Sequence, residues 1–177
     1  MSPTRILSLL SAALLVGVVS PAAGQDSGRE KHLHARLSGA NEVPAVSSTG
    51  HGELRAKIDQ DDMELTYELS FEDLEGTVLQ SHIHLGQTAV NGGIMIWLCG
   101  TATNPGPAGT PPCPVPGGSV GRTVTAADVI GPAGQGIAAG EFAEALLAIR
   151  RGLGYANVHT TKHPGGEIRG QVNENRD

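Results

Sequence analysis

Apolar residues recur at every second position along most of the chain, and this period of two is the mark of half-buried strands. Residues 31–37 carry Leu33, Ala35 and Leu37 on one face. Residues 52–58 and 63–71 repeat the pattern on either side of the acidic link Asp59-Gln60-Asp61-Asp62, so they predict a hairpin, with Leu65, Tyr67, Leu69 and Phe71 in the core. Further strands are expected at 78–85, at 94–99, where Ile94-Met95-Ile96-Trp97-Leu98-Cys99 is apolar on both faces, and at 119–129, 154–160 and 167–172. Only residues 141–152 have helical character, with Phe142, Leu146 and Ile149 on one stripe, two arginines in the last turn and Gly152 as a stop. The sum is an all-β domain, a Greek-key sandwich or barrel of about seven to nine strands with one short helix.

The N-terminus breaks this pattern. Arg5 precedes an apolar run over residues 6–19 and a small-residue stretch, Ser20-Pro21-Ala22-Ala23-Gly24, which together describe a secretory signal peptide over residues 1–24. An uncleaved anchor is the alternative. Residues 25–30 are a polar linker, and 31–175 form one domain, long enough to bury a core. No later segment approaches membrane-spanning length. The expected location is therefore secreted or periplasmic.

Two cysteines, Cys99 and Cys113, bracket a Pro/Gly-rich stretch, so residues 99–118 read as a loop insertion. In an oxidising compartment the plain reading is a disulfide across it; free thiols or a metal site are the alternatives. Charge adds an exclusion. With 12 Lys+Arg against 18 Asp+Glu, and the basic residues scattered, the surface repels phosphate backbones, and nucleic acid is not an expected partner. The chain holds only one Trp, two Tyr and two Phe, which does not encourage sugar recognition by stacked rings.

The candidate chemistry lies in two strands. His82 and His84 project from the same face, about 6–7 Å apart along the strand. A second stretch, Asn157-Val158-His159-Thr160, is expected to lie beside them. His82, His84 and His159, with His163 or His34 as a fourth ligand, make a candidate copper or zinc site, since imidazole suits both metals. The competing reading is a polar network of the same histidines with Asn157, Glu167, Arg169 and Gln171, in which Glu167 and Arg169 pair to fix the last strand. His32 and His34 form another His-x-His beside Lys31 and Arg36, where solvated surface is the expectation. No His-Glu-x-x-His or phosphate-cradling glycine loop is present.

Four stretches occur together: Leu37-Ser38-Gly39-Ala40-Asn41-Glu42-Val43-Pro44; Leu65-Thr66-Tyr67; Ser81-His82-Ile83-His84-Leu85-Gly86; and Asn157-Val158-His159-Thr160 with Pro164-Gly165-Gly166-Glu167-Ile168-Arg169-Gly170-Gln171. In this order they resemble the CHRD domain, the module named after chordin. The resemblance implies a β-sandwich-like architecture with no assigned enzymatic activity, and a binding or interaction role toward an extracellular or envelope protein not identified by the sequence. The Pro/Gly loop looks like an elaboration of the family pattern. The His-x-His strand is also reminiscent of copper/zinc superoxide dismutase, but that enzyme's bridging histidine and zinc-loop aspartate have no counterparts here. A binding module is thus the first expectation, a copper or zinc protein the second and a redox enzyme the third.

Overall fold

The computed structural model describes Met1 and residues 30–174, so the expected signal peptide and nearly all of the linker lie outside the described residues. Among the described residues nine strands are formed: β1 (Lys31–Ser38), β2 (His51–Ile58), β3 (Leu65–Glu72), β4 (Val78–Leu85), β5 (Ile94–Cys99), β6 (Gly118–Val124), β7 (Gly154–Thr160), β8 (Ile168–Gln171) and β9 (Asn173–Glu174). The one α-helix among the described residues, α1 (Phe142–Arg150), precedes β7. The strands join into a single antiparallel sheet in the order β5-β4-β7-β8-β1-β2-β3-β6, with β9 paired to β1.

The sheet curls until its two edges nearly meet. The Tyr67 hydroxyl of β3 donates to the Leu98 carbonyl of β5, and Val129, beyond β6, bridges Ile96 of β5. Of the two architectures allowed by the sequence, this is the barrel. Alternation fills its interior: Leu33, Ala35 and Leu37 from β1, Leu54, Ala56 and Ile58 from β2, Leu65, Tyr67, Leu69 and Phe71 from β3, and Ile83, Ala156, Val158 and Ile168 from β4, β7 and β8 are all buried. Burial also pushes the Tyr67 phenol up to about 12.

Helix α1 buries Phe142, Ala145, Leu146 and Ile149, a three- and four-residue spacing that makes one apolar stripe. It packs against β7, where any Cβ at position 154 would stand 2.9 Å from the Ile149 side chain, so Gly154 permits the approach. The helix ends before Gly152, at φ 70°.

Two expected strands are shorter than their patterns. The one expected over 119–129 stops at Val124, because the Asp128 carboxylate accepts from the Thr125 amide and ties the next residues into a capped turn. The last strand is divided into β8 and β9 at Val172, whose amide turns to the Gly154 carbonyl. The expected disulfide, Cys99–Cys113, is formed and closes the Pro/Gly loop.

Candidate metal centre on the sealed polar face

Register places the candidate residues on one face. Along β4 and β7, His82 lies opposite Asn157, His84 opposite Tyr155 and Gln80 opposite His159. Along β7 and β8, Asn157 lies opposite Arg169 and Tyr155 opposite Gln171. Their alternates, Ile83, Ala156, Val158 and Ile168, belong to the core, so the histidines occupy the outer side of the barrel wall. They are nevertheless buried: His82 is 0 % exposed, His84 8 %, His159 7 % and Asn157 3 %.

Loops seal this face. The segment after β4 lays Gln87, Val90 and Asn91 over Arg169, whose guanidinium donates to the Asn91 Oδ1 at 2.9 Å and to the Val90 carbonyl at 2.8 Å. The same guanidinium lies 3.4 Å from the centre of the Tyr155 ring, and Tyr155 stacks on His84 at 4.8 Å. On the other side Trp97 meets His82 edge to face at 4.3 Å. Gly106 of the disulfide loop, at φ 69°, lies so close over the indole that a Cβ there would come within 2.6 Å of it.

Inside this enclosure the three imidazoles converge. Ring centroids are 5.3 Å apart for His82 and His84, 5.1 Å for His82 and His159, and 6.2 Å for His84 and His159. One nitrogen from each lies within 4.8 Å of the others. Imidazole nitrogens bound to one zinc ion stand about 3.4 Å apart, so ring movements of about 1 Å bring all three into range. His84 Nδ1 donates to the Gly92 carbonyl at 2.9 Å, and His159 Nδ1 donates to the Pro164 carbonyl at 2.9 Å. Each donation fixes the tautomer and leaves Nε2 as a lone-pair donor, the usual support of a metal-binding histidine. Neither Nε2 has a hydrogen-bond partner, nor has either nitrogen of His82.

The electrostatics keep these rings neutral. Burial pushes His82 down to about 2, with His159 and His84 adding to the effect, and pushes His84 down to about 4; it lowers His159 too. Glu42, also buried, is raised to about 7 by desolvation, against the opposing pull of Arg169 and the Asn157 amide.

Other expected site residues go elsewhere. His163 Nε2 lies 3.8 Å from Glu75, and neither His163 nor His34 joins the three-histidine group. Glu167 and Arg169 do not pair. Glu167 precedes β8 and so escapes its alternation; its carboxylate accepts from Ser48 at 2.7 Å, the Glu75 amide at 2.6 Å and Thr160 at 2.6 Å. Both are buried, and each is satisfied by its own partners. Sequence reasoning passed over Trp97, Tyr155, Glu42 and Asn91 as parts of the site; only the Ala-Asn-Glu-Val-Pro stretch signalled one of them.

Neither a curated protein nor a solved structure matches this chain. A family model does match, that of the CHRD domain, over residues 33–172, a span that takes in most of β1, all of β2 to β8 and every residue of the polar face just described. The chain therefore belongs to the CHRD domain family.

Proposed function

We propose that this CHRD domain is an exported binding protein, not an enzyme, whose ligand is a copper or zinc ion held by His82, His84 and His159. One observation carries the reading: two imidazoles are fixed by backbone carbonyls with Nε2 free, beside a third with no partner at all, in a space closed to water. Buried acceptors without donors are costly, and a cation relieves all of them together. Enclosure favours binding over turnover, because His82 has no exposed surface at which a substrate meets the ion. The disulfide supports an oxidising compartment outside the cytoplasm, and no helix among the described residues is long and apolar enough to cross a membrane.

The test is to purify the protein, measure its bound metal and titrate copper(II) and zinc(II) while following Trp97, the sole tryptophan, beside His82. Copper is expected to quench its emission, and His82→Ala to weaken metal affinity at least about a hundredfold. Equal, weak uptake by both proteins would sink the metal reading and leave the expected extracellular or envelope protein as the ligand to seek. Superoxide or peroxide turnover by the loaded protein would overturn its standing as a non-enzyme.

A further inference from the structure

Beside the histidines, Asn157 Oδ1 and Glu42 Oε1 are also unsatisfied on the polar face. Asn157 is 3 % exposed. It lies directly opposite His82 in the sheet and its amide faces both the Glu42 carboxyl and His84. Toward Glu42 an amide offers its N–H, which turns the oxygen toward the imidazoles. The single N–H of neutral His84 is already spent on Gly92. Oxygen and the Nε2 atoms of His84 and His159 thus present lone pairs in the same buried space, where the one N–H of neutral His82 can serve only one of them, an arrangement that a cation resolves.

We propose that Asn157 is the fourth ligand, binding through Oδ1, and that Glu42 is a positioning residue that holds the amide in that orientation. Glu42 is itself held: Gly166, at φ 131°, lets the carboxyl lie where a Cβ would come within 2.4 Å of Oε1. Three imidazole nitrogens and one amide oxygen form a closed, four-coordinate set that suits a divalent ion of zinc type and leaves no position for water. The inference rests on the three-histidine reading and adds to it the coordination number, the metal class and two residues.

Cobalt(II) is the probe, since it takes zinc sites and reports its ligands in visible absorption. In the wild-type protein the cobalt spectrum is expected to stay constant from about pH 6.5 to 9, because a metal-bound water, which ionises near pH 7 on zinc, is absent. Asn157→Ala is expected to bind cobalt about 10- to 100-fold more weakly and to acquire a spectrum that changes with pH as water enters. Glu42→Gln is expected to shift the affinity in the same direction by a smaller factor. A wild-type spectrum that itself titrates near neutrality places water in the fourth position and overturns the inference while the histidine site stands. Unchanged affinity and spectrum in Asn157→Ala overturn it too. Failure of the folded wild-type protein to take up either cobalt or zinc removes the three-histidine reading and this one together.

Discussion

Arg169 shows how much one residue can organise. It is 2 % exposed, yet its guanidinium spans the loop after β4 through Asn91, Gln87 and Val90, lies on Tyr155, and supplies the positive charge that draws Glu42 down. A lysine has the charge without the planar fork, so it can keep about one of these hydrogen bonds and none of the stacking. Charge-assisted bonds contribute about 1.5–3 kcal/mol each and a desolvated cation–π contact about 2. Losing two such bonds and the stacking, Arg169→Lys is therefore expected to lower stability by about 5 kcal/mol, seen as a lower urea midpoint at unchanged m-value. A midpoint within about 0.5 kcal/mol of wild type would show that the loop is held by other contacts.

At the scale of elements, the disulfide loop is the segment whose role reaches furthest from its own sequence. It has no regular packing face, yet Gly106 presses on Trp97, and Trp97 covers His82. Replacing both cysteines by serine is expected to cost about 3 kcal/mol, the loop-closure value for this separation, and to move Trp97 emission to longer wavelength as the cover loosens. Unmoved emission would show that the indole is held from the β5 side alone. The same contrast explains what the sequence made legible. Period-two alternation named β1 to β3 and the core residues of β3, and a run apolar on both faces named β5, since each signal is local. His82, His84, His159 and Asn157 were placed on a common face for the same reason. That this face is the outer wall, roofed by loops, could not be read, because it depends on contacts such as Arg169 to Asn91 that join positions 78 residues apart. Glu167 and Arg169 looked like a pair for a related reason: alternation was extended one residue beyond the strand that supports it.

For the molecule as a whole, the sealed polar face makes stability depend on pH, with a definite sign. Unfolded histidines take a proton near 6.5, whereas in the folded chain His82 waits until about 2, His84 until about 4, and His159 is lowered as well. Between about pH 4.5 and 6.5 the unfolded chain therefore binds the extra protons, and stability falls as pH falls. Glu42 acts oppositely: the folded chain keeps its proton up to about 7, the unfolded chain releases it near 4.5, and stability from this group falls as pH rises through that window. Three imidazoles outweigh one carboxyl, so the urea midpoint of the metal-free protein is expected to drop from pH 6.5 to pH 5, and to drop less in His82→Leu, which has one fewer site for the unfolded chain to protonate. Metal adds a second, separable dependence. An ion that binds only the folded chain at a hundred times its dissociation constant adds about 2.7 kcal/mol near neutrality. Because it needs neutral imidazoles, its benefit over the metal-free protein is set by affinity in the folded state, where the rings resist protonation well below pH 6.5. The stabilisation by zinc is accordingly expected to persist at pH 5.5, where an exposed three-histidine site would have lost most of its metal, and thermal melts with and without zinc at pH 5.5 and 7 measure it. Loss of the zinc effect by pH 5.5 would mean that the imidazoles meet solvent and that the roof of loops is open in solution.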